Sequence, residues 1–556
     1  MSVRPPGREI AGGTRSSSGG QPGLRRYHGS GNDIYFQGFP PMRDRVVSLC
    51  LLMTTLVCHG VMESRYCQAA VPTLGFHVQF TEQVRSEPYS GRVYLFFSAN
   101  RQTEPRNGPN WMKPEPFVSL DVTHWKPGEQ LTISLDNPGV LTFPRDLMAR
   151  QLLGMSVQAV ARFNPWEREV GTGPGNGYSR LVSASKPGTY SLTIDRLVQE
   201  TPFPASPSTK EFRVSSNLLS EFFGHDVEIQ AAVTVPESYG RDPDRRYPVI
   251  FEIPGFGGTH RLGVRMHQPR AKNTLGVEFI RVMLDPSCPL GHHVFADSAN
   301  NGPWGTALVE EFLPAFEAAY RTIAEPRGRF LTGHSSGGWS SLWIQITHPD
   351  TFGGVWSTAP DPVDFRDFQR IDLYQSPQNM YVHGDQRRPL ARMNGRTALW
   401  YDDFTHMETV LGYGGQLHSF EAVFSKRNAD GTPALLYDRE TGAVDTSVAE
   451  SWKKYDIRLL LEENWKTFGP KLAGKLHVFM GTEDTFLLEG ATQLLKESLE
   501  RLGSDAQVEM IPGRTHFDLF ADGLDRRIEQ QMARKFREST NANLQNSPEI
   551  NTLNQR

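Results

Sequence analysis

Cysteine is nearly absent. The 556-residue chain has four, and three of them, Cys50, Cys58 and Cys67, precede Val71. So few cysteines exclude a disulfide-stapled scaffold, and a domain this long needs no staples. Cys288 reads as a small packing residue rather than a nucleophile. An excess of either charge is missing as well. The 58 Lys and Arg oppose 62 Asp and Glu, a net charge of −4. That leaves no basic footprint for nucleic acid and no polybasic patch for a membrane surface. Long apolar runs are also lacking: Val46 to Val57 is too short to cross a bilayer comfortably. No internal repeat appears, and no phosphate- or dinucleotide-binding glycine fingerprint follows a strand.

What is present describes a folded chain of two or three domains. Hydrophobic residues make up 38% and charged residues 22%, the balance of a globular protein. Residues 1–41, rich in Gly, Arg, Ser and Pro, read as a disordered leader or a mis-assigned start ahead of Met42. Tyr35-Phe36-Gln37-Gly38 also resembles the end of a protease tag site. Residues 42–70 follow the plan of a signal peptide: the basic flank Met42-Arg43-Asp44-Arg45, the apolar run, then small residues at Ala69-Ala70. A membrane anchor is the alternative. Cleavage near Ala70 predicts a secreted or periplasmic protein with no integral span.

Residues 72–204 carry a β pattern. Val93 to Phe97 is an apolar run, and Leu131, Ile133 and Leu135 alternate with polar neighbours, as do Tyr190, Leu192 and Ile194. Lys126-Pro127-Gly128 and Lys186-Pro187-Gly188 are turns placed before two of these strands. A small β-sandwich is expected, followed by a Pro-rich linker through Pro207. From 210 to 540 the pattern becomes alternating strand and helix, which means a mostly parallel sheet covered on both faces. Strands are expected at Val227–Val235, Tyr247–Ile253, Phe279–Leu284, Phe330–Thr332, Leu476–Met480 and Val508–Ile511. Leu308, Phe312, Phe316, Ala319, Tyr320 and Ile323 share one helical face. A lid-like insertion at about 372–471 bears Trp400, Tyr401, Trp452, Tyr455 and Trp465, and residues 541–556 read as a disordered tail.

Gly333-His334-Ser335-Ser336-Gly337 matches the G-x-S-x-G turn that exposes a serine between a strand and a helix. The strand precedes it, and Trp339, Leu342, Trp343 and Ile346 follow at helical spacing, so Ser335 is the candidate nucleophile. A serine hydroxyl needs a base and an orienting acid, ordered serine, acid, histidine in this fold. Asp484 stands just past a strand end, with Glu483 beside it as an alternate. Asp361, after the strand Gly354–Ser357, is a rival acid. His516 is the histidine that follows Asp484 and becomes the base. Oxyanion donors are expected at the Ser336 N–H and at the Phe256 or Gly257 N–H. Cys288, His292 and His293 have metal-ligand chemistry but form one tight cluster without a second. Asn300 to Gly305 either lines the cleft or caps a helix.

From about Phe212 onward the chain resembles the family named Putative esterase, within the α/β hydrolases. That family holds enterochelin and feruloyl esterases, S-formylglutathione hydrolase and the mycolyltransferases. The resemblance rests on Gly255-Phe256-Gly257-Gly258, Phe330 to Gly338, Glu310 to Pro314, Gly481-Thr482-Glu483-Asp484 and Gly513-Arg514-Thr515-His516. It implies triad roles for Ser335, Asp484 and His516, no metal or cofactor, and a small-molecule or polysaccharide-linked ester as substrate. Acyl transfer of the mycolyltransferase type is the second enzymatic reading. A retired hydrolase scaffold serving as a carbohydrate- or surface-binding protein is the third. A prolyl-type peptidase is excluded, because the N-terminal β region is too short for a propeller.

Overall fold

The computed structural model describes residues 74–267 and 274–545. The leader, the signal-like segment and the end of the tail lie outside these residues. From Leu74–Phe80 to Gly188–Leu197, nine strands join in one hydrogen-bonded sheet. Eight of them follow one path, and Val182–Ser183 pairs to the side with Ser156–Ala161. The strand Tyr89–Ser98 shows how the sheet is used. Val93, Leu95 and Phe97 pack into the sheet's own core with Phe76, Val78 and Ile194. Tyr94 and Phe96 point the other way and join a core shared with Phe251, Leu331 and Trp339 of the following region. Successive strand residues face opposite sides, so a run buried on both faces must be apolar throughout.

The second sheet has eight strands. Its spatial order is Thr209–Ser215, Glu228–Thr234, Ile280–Leu284, Val249–Ile253, Arg329–His334, Gly354–Thr358, Leu476–Gly481 and Gln507–Ile511. The first two pairings are antiparallel and the other five parallel. The central strands are buried almost without interruption, as parallel strands covered on both faces must be. Carboxyl ends of the parallel strands share one edge, where open sheets gather reactive groups.

Two elements depart from the pattern read in the sequence. The helical face drawn through Ile323 stops at Ala319, after a wide π turn over Leu308–Phe312. The closing helix begins at Leu524 and runs to Gln545, so residues 541–545 are helical rather than a disordered tail. The insertion contains the helices Tyr401–Leu411, Gln416–Phe424, Thr446–Trp452 and Ile457–Leu472. Its named aromatics are largely structural. Tyr401, Trp452 and Tyr455 are buried in the shared core, with polar tips bonded to Gln369, Ser425 and the Asp297 carbonyl.

Candidate active site

Ser335 sits between the strand Arg329–His334 and the helix Ser336–Thr347, at φ 60° and ψ −125°. A non-glycine residue there is strained, and it persists because its surroundings hold it. Its N–H donates to the Thr358 carbonyl (3.0 Å), and its carbonyl accepts from Trp339 (3.0 Å) and Asp361 (3.3 Å). The flanking glycines are steric necessities. A Cβ at Gly333 would overlap the Gly337 carbonyl, and one at Gly337 would overlap the Ile253 carbonyl. Strand and helix therefore touch backbone to backbone, and the serine is thrust outward.

Asp484 follows the strand Leu476–Gly481 and is fully buried at 0% exposure, while His516 is 4% exposed. His516 Nδ1 lies 2.7 Å from Asp484 Oδ2. The other oxygen, Oδ1, accepts the Phe486 N–H at 2.8 Å, which aims the carboxylate. With Nδ1–H donating to Asp484, Nε2 is left as the basic nitrogen. The His334 ring lies 4.6 Å from that of His516, and Phe486 meets it edge-on at 5.0 Å. Glu483 points elsewhere: it is more than half exposed and its carboxylate pairs with Arg392 at 3.5 Å. Arg392, from the insertion, also donates to the Asp484 carbonyl at 3.0 Å and so braces the acid loop.

Asp361 belongs to the same site. Its Oδ2 accepts from Ser336 Oγ at 2.5 Å and Gln416 Nε2 at 3.4 Å, and its Oδ1 accepts from Ser335 Oγ at 3.5 Å. Burial pushes its pKa up to about 6; the Ser336 bond and nearby His516 oppose that rise, and Asp484 adds to it. The arrangement thus gathers a serine, a histidine and two carboxylates at one sheet edge. Among the described residues Ser335 Oγ makes no hydrogen bond to His516.

The loop after the strand Val249–Ile253 lies against the serine. A Cβ on Gly255 would stand 3.1 Å from Ser335 Cβ. The loop turns tightly, with Gly258 N–H donating to the Gly255 carbonyl at 2.9 Å and Gly257 at φ +84°, a conformation that favours glycine. Neither the Phe256 nor the Gly257 N–H has an acceptor among the described residues. Ser336 begins its helix, where an N–H has no intrahelical acceptor. These donors can serve an anion beside Ser335. His292 supports the loop: its Nδ1 accepts the Val294 N–H, so Nε2 donates to the Pro254 carbonyl at 3.0 Å. Burial lowers the His292 pKa to about 4, which keeps the ring neutral.

The remaining candidates are structural. His293 stacks on Trp304 at 3.8 Å, and buried Cys288 contacts Asn301. Asn300 ties to the carbonyls of Ala422 and Ser425, while Asp297 caps the turn at Gly305 and Thr306. Four site residues escaped the sequence reading. Gln416 opens an insertion helix after two glycines. Trp111 and Arg168 come from loops of the first sheet and reach the ring of Phe256, and Phe404 meets Trp111 edge-on at 5.0 Å. None has a local signal, because each is brought in by tertiary packing.

Comparison with known proteins identifies a family. The sequence model of the family described as Putative esterase matches residues 223–509, just over half the chain. An esterase of Mycobacterium tuberculosis is 32% identical over 145 residues, which cover 24% of this chain and 30% of that relative's length. Among solved structures, a ferulic acid esterase is similar at 17% identity and a TM-score of 0.35, covering 59% of this chain and 99% of its own. An S-formylglutathione hydrolase from Agrobacterium tumefaciens is similar at 17% identity and a TM-score of 0.36, covering 61% and 98%.

Proposed function

The chain belongs to the Putative esterase family; from that premise we propose that it is an exported serine hydrolase that cleaves a carboxylic ester through Ser335, His516 and Asp484. The observation that carries the reading is the buried Asp484–His516 pair, 2.7 Å apart, at the sheet edge where the strained Ser335 projects. Ser335 Oγ leaves Asp361 by rotation about its Cα–Cβ bond and faces His516 Nε2. It attacks the ester carbonyl carbon, and Nε2 takes its proton. The carbonyl oxygen becomes an oxyanion, met by the N–H of Ser336 and that of Phe256 or Gly257. As the tetrahedral species collapses, the C–O bond to the alcohol breaks and the alkoxide receives the proton from His516. Water then attacks the acyl-serine, giving its proton to Nε2. Collapse returns that proton to Ser335 and releases the acid. Asp484 fixes the tautomer and stabilises the imidazolium throughout.

Expressing the full chain and treating cell fractions with a fluorophosphonate and with short p-nitrophenyl esters tests this. Labelling and turnover are expected in the exported fraction, and both should vanish in Ser335→Ala with the melting temperature retained. Turnover surviving in Ser335→Ala would sink the assignment.

A further inference from the structure

Phe256 does more than offer an N–H. Its ring is stacked with Trp111, centroids 5.3 Å apart at an interplanar angle of 26°. The Arg168 guanidinium also lies over it, with Cζ 4.9 Å from the centroid. Neither residue comes from the sheet that carries Ser335. Trp111 lies in the loop between the strands Tyr89–Ser98 and Phe117–Trp125, and Arg168 in the loop between Ser156–Ala161 and Gly177–Ser179.

Both partners are themselves held. Trp111 meets Phe404 of the insertion edge-on at 5.0 Å. The Arg168 side chain is only 11% exposed and pairs with Glu169 at 2.5 Å. Its stem crowds Gly414, where a Cβ would stand 3.3 Å from Arg168 Cγ. On the same loop Arg162 donates to the Tyr413 carbonyl at 2.9 Å and the Pro289 carbonyl at 3.4 Å. The loop is thereby fastened to the insertion as well as to the edge of the catalytic region.

The loop gripped in this way is rich in glycine. Gly255, Gly257 and Gly258 surround Phe256, and glycine leaves the backbone widely permissive. Its peptide N–H groups must nevertheless stay fixed, since a donor displaced by about 1 Å can cost on the order of 10²-fold in rate. A phenylalanine side chain has two torsions. Immobilising its ring restricts the backbone that bears it.

We propose that Trp111 and Arg168 of the N-terminal β region are positioning residues for the oxyanion loop, clamping the Phe256 ring so that the loop's N–H donors point at the tetrahedral oxygen. The inference rests on the esterase reading above. It assigns the N-terminal region a part in the chemistry without placing any of its atoms on the reacting bond. An oxyanion donor acts on the transition state and not on the bound ester, so the clamp should register in kcat and leave KM alone.

The test uses the full chain with Trp111→Phe, Trp111→Leu, Arg168→Lys and Arg168→Met, each measured for kcat, KM, melting temperature and affinity for phenylboronic acid. The boron accepts a bond from Ser335 Oγ and becomes tetrahedral, so its affinity reports the oxyanion geometry. Trp111→Leu and Arg168→Met should each lower kcat by about 10- to 100-fold, with KM within about threefold of the unmodified chain and boronate affinity falling in parallel. Trp111→Phe and Arg168→Lys, which keep a ring and a cation, should recover most of the loss. Unchanged kcat and boronate affinity in the Leu and Met variants would overturn the clamp. So would a rise in KM with kcat intact, which would make these residues substrate contacts. Failure of the esterase reading is told apart by the unmodified chain, which would then show no turnover or boronate adduct dependent on Ser335.

Discussion

Two carboxylates face the serine and histidine, and their partners separate their duties. Asp484 is bonded to His516 Nδ1 and to a backbone N–H, contacts that fix the direction of the imidazole. Asp361 bonds two hydroxyls and an amide, and burial raises its pKa to about 6. Asp484→Asn should therefore lower kcat on the order of 10⁴-fold, as expected when the histidine loses its tautomer. Asp361→Asn should cost about tenfold or less, since a neutral amide keeps acceptor capacity toward Ser336. Steady-state kinetics of the two variants side by side decide the point; a larger loss in Asp361→Asn would exchange their roles. The raised pKa also has a sign. Between its ordinary value near 4 and its folded value near 6, the folded state binds the extra proton, so the native chain loses stability as pH rises through that window. Asp361→Asn removes this term, and its stability relative to the unmodified chain should climb from pH 4 to 6 and level off above. Denaturant titrations at pH 5 and 7 measure the difference. At this scale Ser335, Asp484 and His516 were legible as candidates because each follows a recognisable strand, Ser335 directly and the other two in the loops after Gly481 and Ile511. Trp111, Arg168, Phe404 and Gln416 were not, because their approach depends on folding distances that no local pattern encodes.

The elbow illustrates what an element imposes on its residues. The helix Ser336–Thr347 starts so close to the strand Val249–Ile253 that a Cβ at Gly337 would meet the Ile253 carbonyl. Backbone cannot step aside as a flexible side chain can. Gly337→Ala should thus destabilise by about 3 kcal/mol or more, the upper range for overpacking, and abolish turnover by moving Ser335. Gly240→Ala provides the contrast, since nothing lies within 4 Å of its added Cβ; it should stay within about 0.5 kcal/mol. Denaturation midpoints of both variants give the comparison, and equal shifts would refute the steric account. The elements themselves were largely readable. The strands Val249–Ile253, Leu476–Gly481 and Gln507–Ile511 appear where apolar runs predict them. Element ends were less readable. Tyr320 and Ile323 continue the helical spacing, yet the helix stops at Ala319, where the chain pairs Tyr247 with Thr322 instead. Tyr401, Trp452 and Tyr455 of the insertion are core rings, which composition does not reveal, since a large ring suits a core as well as a cleft.

At the scale of the whole molecule, the N-terminal sheet and the catalytic region share a core and a set of polar ties. The run Val93–Phe97 is buried on both faces, and the sequence alone does not say what covers the second one. That cover is partly the helix Tyr401–Leu411, whose last carbonyls have no intrahelical donors. Arg92 Nη1 donates to Thr409 at 2.7 Å and to Val410 at 3.2 Å, Ser119 Oγ to Val410 at 2.7 Å, and Tyr94 Oη to Leu411 at 2.6 Å. A cation at a helix C-terminus also complements its dipole. Tyr94 and Phe96 stack at 5.7 Å, and Phe96 stacks on Phe117 at 5.6 Å, within the core that holds Leu331 and Trp339. Pulling the sheet away would expose these rings and orphan the helix end together, so the two regions should unfold as one. Phe96→Ala, at the seam, is expected to cost about 3–5 kcal/mol and to lower one shared transition. Circular dichroism in the strand and helix regions, tryptophan fluorescence and residual esterase activity should all shift with it. If activity and helical signal instead held their original midpoint while the β signal melted early, the N-terminal sheet would be an independent domain and the shared core would carry no coupling.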